Sequence, residues 1–113
     1  MTTYKSGDVI LLPFPFSDLS SSKKRPAGVL ATIPHRKELI LVMLTSTKNV
    51  DHLVDYQINN TQKAGLREVT YARTSRLITV KDRLVIRKLG ELDNEDFGTI
   101  LSKIKTLIEE SRS

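Results

Sequence analysis

Two prolines two residues apart, Pro13 and Pro15, stop the first apolar run of this chain, Val9, Ile10, Leu11 and Leu12, after four residues. Each proline removes a backbone donor, so the run must end there or continue as a sheet edge. A contiguous apolar run this short suits a strand covered on both faces better than an amphipathic helix. The pattern recurs. Residues 27–33 form a second apolar run behind Pro26, and residues 38–44 a third and stronger one. Pro34, His35, Arg36 and Lys37 between them read as a polar turn, which makes runs two and three a hairpin.

Between the first two runs, residues 17–24 are Ser-rich, with Leu19 the one large apolar residue, and the segment reads as a mobile loop. It delivers three consecutive cations, Lys23, Lys24 and Arg25, to the start of the second strand. Pro26 biases Arg25 away from helical angles, so its guanidinium is presented from extended backbone. After the third strand comes a row of hydroxyls, Thr45, Ser46 and Thr47, followed by Lys48. Such residues cap turns, or donate to a phosphate.

Further on, Leu53, Val54, Tyr56 and Ile58 suggest a short strand, and Asn59, Asn60 and Ala64-Gly65 suggest turns. Residues 68–72 read as another strand, whose apolar character Arg73, Thr74, Ser75 and Arg76 interrupt before Leu77, Ile78 and Val80 resume it. Residues 84–89 form a short strand or helical turn stopped by Gly90. The ending is an amphipathic helix: Asp93 is the N-cap, Glu95 and Asp96 suit the dipole of the first turn, and Phe97, Ile100, Leu101, Ile104, Leu107 and Ile108 form the apolar stripe. The expected fold is mainly β with one α-helix, a small, mostly antiparallel curved barrel closed by that helix. At 113 residues, 1–113 is expected to be a single domain.

Charge narrows the partners. Residues 1–90 carry 15 Lys/Arg against 7 Asp/Glu, and residues 91–113 carry 3 against 6. A basic body with an acidic tail attracts a polyanion such as RNA, DNA or an acidic protein segment, although charge alone fits an ordinary solvated surface equally well. The chain has no Cys, which excludes disulfides, thiolate metal sites and cysteine nucleophiles. It shows no signal peptide and no apolar run near the ~20 residues of a membrane span, so a cytoplasmic protein without membrane association is expected.

His35 and His52 lie in polar segments with no ligand-pair spacing, and no metal or other cofactor is expected. The chain also lacks a Gly-rich phosphate loop and a Gly-x-Ser-x-Gly elbow. Metal-free RNA cleavage remains open to it. There the 2′-hydroxyl attacks the adjacent phosphorus, which calls for a proton acceptor, a cation for the phosphoryl oxygens and a donor for the departing 5′-oxygen. Arg25 suits the cation, since its planar fork binds two oxygens and keeps its proton. Thr45 and Ser46 can donate to the same phosphate, and Arg73 can add a second charge. For the proton acceptor, His52 and Asp18 are the candidates. The competing reading pairs Arg25 with Asp8 or Asp18 at the barrel rim, and makes Tyr4, Tyr56 and Tyr71 packing residues rather than base-stacking platforms.

The chain resembles the MazF/PemK family of toxin endoribonucleases over nearly its whole length. Four features carry the likeness: the Gly7-Asp8 strand opening, Arg25-Pro26, Thr45-Ser46 after a long apolar strand, and residues 73–93, where Leu-Val-Ile-Arg-Lys-Leu-Gly-Glu-Leu precedes the helix. The resemblance implies an SH3-like barrel, a homodimer, and a sequence-specific, metal-independent ribonuclease acting on single-stranded RNA and neutralised by a cognate antitoxin. It implies that Arg25 and Thr45 or Ser46 serve the scissile phosphate. Lys23, Lys24, Arg73, Ser75 and Arg76 are the expected RNA-binding residues. Several members carry an Arg-x-Asp that aligns with Arg73 and Ser75, and the Asp is missing here. The alternatives are a toxin on the same fold that poisons DNA gyrase without cutting RNA, and an RNA-binding domain without catalysis.

Overall fold

The computed structural model describes residues 4–13 and 23–112. Of the expected loop over residues 17–24, residues 17–22, with Asp18, lie outside the described residues, and Lys24 already belongs to the second strand. Six strands, β1 (Asp8–Pro13), β2 (Lys24–Ile33), β3 (Glu38–Thr45), β4 (Asp55–Gln57), β5 (Tyr71–Lys81) and β6 (Arg87–Glu91), form one antiparallel sheet in the order β4-β5-β3-β2-β1-β6. The helix α1 (Asn94–Glu110) follows. The chain is mainly β with one α-helix, as expected. Among the described residues no helix is long and apolar enough to cross a membrane.

The unbroken apolar runs have a packing cause. Successive side chains in a strand point to opposite faces, and here both faces of β1, β2 and β3 are covered. On one face Val9, Val42, Leu44 and Ala72 pack with Ile58, Ala64 and Leu92 beneath Ile100 and Ile104 of α1. On the other, Ile10, Leu12, Ala27, Val29, Leu39, Leu41, Met43 and Val80 form a second buried cluster, with Tyr4, Ile78 and Val85 packed against it. An amphipathic strand would have left one of these layers wet.

Several boundaries differ from the expected ones. Arg25 and Pro26 lie inside β2, with Leu12 facing Arg25 and Leu11 facing Pro26. Thr45 is the last residue of β3. The strand expected at 68–72 begins only at Tyr71, and the short strand before it spans just Asp55–Gln57. Residues 73–76 stay within β5 and do not break it, but the pairing jumps from Val42↔Leu77 to Met43↔Arg73, so residues 74–76 are extra on β5 and the strand bends there as at a multi-residue bulge. Thr74 turns inward and bonds Val54 O through both its N–H (3.0 Å) and its Oγ1 (2.6 Å), which fixes β4 against the bend.

Gly90 does not stop the last strand either; it is the residue of β6 facing Val9. Residues 58–66 cross over β6 there, and Glu91 N donates to Lys63 O at 3.0 Å. The two backbones approach so closely that a Cβ on Gly90 would meet Lys63 O and Ala64 C, while one on Gly65, at φ +73°, would meet Leu89 O. Glycine at both positions is what lets the crossing chain bridge to the edge strand.

The helix begins as expected, with Asp93 Oδ1 accepting from Asp96 N at 2.8 Å. Asp96 itself is not an exposed dipole partner. It is buried, and its carboxylate accepts from Tyr56 OH (2.6 Å), Asn59 N (3.0 Å) and Asn60 N (3.0 Å). Burial pushes its pKa up, but the hydrogen bonds from Tyr56 and the two amides outweigh that and hold it below the usual carboxylate value. The same environment pushes the Tyr56 phenol up to about 12, through burial first and the adjacent carboxylate second. Of the expected stripe, Ile100 and Ile104 are buried and Phe97 and Leu107 half-buried, whereas Leu101 and Ile108 are exposed because they flank the contact line.

Candidate active site

Register alone brings three of the expected residues, Arg25, Thr45 and Arg73, together. Ala27 faces Met43 across β2 and β3, and Met43 faces Arg73 across β3 and β5, which faces Asp55 on β4. These four form one row across the sheet. Two residues along, Thr45 faces Tyr71, and continuing the β2–β3 register sets Arg25 beside Thr45. Since side chains two apart on a strand share a face, Arg25, Thr45 and Arg73 stand on the face whose inner rows are Ala27, Met43 and Leu12. They form the polar mouth of that apolar layer. Arg25, Met43, Leu44, Thr45, Ser46, Thr47 and Arg73 line an open cleft of about 370 Å³.

The hydroxyls there serve the turn-shaping function foreseen for them. Thr45 Oγ1 accepts from Thr47 N at 3.2 Å, and Thr47 Oγ1 accepts from Asn49 N at 3.2 Å, so both residues shape the turn leaving β3. Accepting uses a lone pair, and each O–H still has a proton to donate. Ser46 between them is exposed. Arg73 is held from behind: Nη1 lies 3.6 Å from Asp55 Oδ2 and Nη2 donates to Asn49 O at 3.3 Å. Asp8, one rim partner considered for Arg25, is occupied by Lys5 (3.3 Å) and Lys88 (3.1 Å).

Lys23 and Lys24 are exposed at the start of β2, next to Arg25 in sequence but not in the lining of the cleft. Ser75 and Arg76 are exposed on the extra segment of β5, also away from the lining. His52 is exposed in the turn before β4, outside the lining too. Tyr56 and Tyr4 pack against the two apolar layers. Tyr71 lines a second hollow of about 450 Å³, with Ser46, Thr47, Lys48, Val50, Glu68 and Val69. Among the described residues no group of three or more His, Cys, Asp or Glu could hold a metal ion. Thr47 and Asp55 were not singled out from the sequence. Thr47 belonged to the hydroxyl row, but nothing local marked Asp55, whose importance comes from facing Arg73.

The family model for the PemK-like, MazF-like toxin of type II toxin-antitoxin systems matches residues 5–108. Solved structures of the same fold include an endoribonuclease in complex with its cognate antitoxin from a mycobacterial species, at 14% identity and TM-score 0.74, covering 95% of this chain and 96% of that one. MazF from Deinococcus radiodurans is similar at 16% identity and TM-score 0.74, covering 96% and 99%. Mycobacterium tuberculosis toxin MazF-mt6 is similar at 13% identity and TM-score 0.69, covering 90% and 96%. No curated protein sequence matches the chain. With a sheet order, a terminal helix and a family match spanning nearly all its residues, the chain belongs to the PemK-like, MazF-like toxins of type II toxin-antitoxin systems.

Proposed function

We propose that this toxin is a metal-independent, sequence-specific endoribonuclease that cuts single-stranded RNA in the cleft between Arg25 and Arg73. The observation that carries the reading is the convergence of two guanidinium groups and three hydroxyls on one open cleft. That donor set suits a phosphodiester. Arg25 takes two phosphoryl oxygens in its planar fork, Arg73 adds charge from the opposite wall, and Thr45 and Ser46 donate hydrogen bonds. In the reaction the 2′-oxygen forms a bond to phosphorus, the bond to the 5′-oxygen breaks, the 2′-proton passes to an acceptor and the 5′-oxygen takes up a proton. Among the described residues the lining contains no carboxylate or imidazole. Its side chains therefore act on the charge developing on the phosphate, while Lys23 and Lys24, with Ser75 and Arg76, contact flanking RNA.

The toxin acts as a homodimer, the state its family resemblance implies; it is also neutralised by a cognate antitoxin, a reading supported by the mycobacterial endoribonuclease solved with its own antitoxin. The test is incubation of purified protein with a long single-stranded RNA in excess EDTA, beside Arg25→Ala, mapping product ends. Discrete cuts leaving 5′-hydroxyl ends are expected from the wild type. Cutting by Arg25→Ala is expected to be slower by about 10²–10³-fold, the usual cost of losing one group that stabilises developing charge. Unchanged cutting by the variant would remove Arg25 from the mechanism. No cuts at all by folded, antitoxin-free wild type would overturn the nuclease reading.

A further inference from the structure

Asp55 is a buried carboxylate in a three-residue strand, and its two oxygens are unequally served. Oδ2 accepts from Asp51 N at 2.8 Å and lies 3.6 Å from Arg73 Nη1. Oδ1 is buried with no hydrogen-bond partner among the described residues. The Asp55 side chain has no exposed surface, whereas that of Arg73 is 26% exposed and lines the cleft. A buried pair of this kind is poor evidence of added stability, since desolvating the charges offsets much of their attraction. A buried charge left partly unsatisfied needs a reason.

The surroundings of Asp55 are unusually well tied for so short a strand. Asp55 N donates back to Asp51 O at 2.7 Å, Thr74 clamps the neighbouring Val54 O from the bend in β5, and Tyr56 OH anchors the next residue to Asp96 at 2.6 Å. The register puts Asp55 on the β4 side of Arg73, opposite Met43 on β3, and Asp55 is not among the residues lining the cleft. From the geometry we infer that Asp55 is a positioning residue, which aims the Arg73 guanidinium at the phosphate without touching RNA; the inference rests on the nuclease reading of the cleft. Both contacts to Arg73, at 3.3 and 3.6 Å, are longer than the ~2.7–2.9 Å of a fully formed charge-assisted bond. The carboxylate therefore orients the group without engaging all of its five donors, and the remaining N–H groups are available to an incoming anion.

Three variants test this: Asp55→Asn, which keeps the size and an acceptor for Asp51 N but drops the charge, Arg73→Ala, and the two combined. With RNA in excess EDTA, Asp55→Asn is expected to lower kcat by about 10- to 100-fold, the range for loss of an orienting partner, with a much smaller change in KM. If Asp55 acts through Arg73, adding Asp55→Asn to Arg73→Ala costs less than about a further twofold. A wild-type kcat in Asp55→Asn overturns the inference. So do losses that multiply in the double variant and follow its thermal midpoint, as a purely structural role requires.

A second measurement needs neither catalysis nor a folded Asp55 variant. In the ¹⁵N-labelled wild type, the Arg73 guanidinium signals, assigned by their disappearance in Arg73→Ala, are expected to be resolved by slowed rotation; one averaged signal would show that nothing holds the group. Wild type that cuts no RNA would sink the reading of the cleft, while this measurement would still decide whether Arg73 is held.

Discussion

Tyr56 and Asp96 join β4 to the start of α1 through one short bond, a phenol donating to a buried carboxylate at 2.6 Å. Tyr56→Phe removes the donor and keeps the ring, and is expected to cost about 1.5 kcal/mol, the low end for a hydrogen bond to a charged group because the phenol is only half-buried. The pH dependence follows from the two directions. The raised Tyr56 pKa makes its contribution complete below pH 10 and lost as the phenol ionises toward about 12. The lowered Asp96 pKa makes its contribution present above its ordinary value of 3.8 and lost as pH falls further. The difference in urea midpoint between wild type and Tyr56→Phe should therefore be greatest near neutrality and shrink in both windows; a constant difference from pH 7 to 12 would contradict the assignment. At the cleft, Thr45→Ala removes a hydroxyl of the lining and the acceptor for Thr47 N. Under the nuclease reading, kcat should fall by about 10²-fold or more, with only a small change in thermal midpoint.

Among the elements, the crossing of residues 63–65 over β6 and the helix α1 give opposite answers to the same substitution. Gly90→Ala drives a Cβ into the Lys63 and Ala64 backbone, which cannot move without breaking the bond from Glu91 N to Lys63 O. A loss of at least about 1–3 kcal/mol is expected, as for other overpacked sites. Gly98 lies exposed on α1 and a Cβ there meets nothing within 4 Å. Gly98→Ala should therefore gain about 1 kcal/mol from helix propensity alone and raise the thermal midpoint by about 4 °C. Calorimetry of the two variants side by side reads both signs, and a stabilised Gly90→Ala would show that the crossing can relax. The bend in β5 is the other decisive element, because the three extra residues turn Thr74 inward to hold Val54 and so set the strand that carries Asp55.

For the whole molecule, the basic body and the acidic carboxy-terminal segment are joined at one end of the sheet. Glu91 is tied to Lys88 at 2.9 Å and Lys5 at 3.1 Å, and these hydrogen bonds hold its carboxyl down to about 2. The rest of the excess positive charge includes Arg25 in the cleft lining and Lys23 and Lys24 just before it in sequence. If RNA enters there, binding measured by anisotropy should weaken with salt at a log–log slope of about −0.7 for each phosphate contact. Replacing Lys23 and Lys24 by Ala should flatten that slope by about 1.4 while leaving the thermal midpoint unchanged; an unaltered slope would place the RNA elsewhere.

Local chemistry in the chain was enough to place β1, β2, β3 and α1, because buried strands must be apolar throughout and a helix start needs its cap. It also offered Arg25, Thr45, Ser46 and Arg73 as candidates, because guanidinium and hydroxyl groups suit a phosphate, and these four line one cleft. The tertiary structure decided the rest. That Gly90 continues β6 depends on a second backbone lying against it, and that Asp96 is buried depends on the loop carrying Asn59 and Asn60 folding over it. Asp55 gave no local signal, for its partner is 18 positions away and meets it only through a register set by the bend in β5. Strand pairing is a long-range property, and the side chains it brings face to face carry no mark of each other in the sequence.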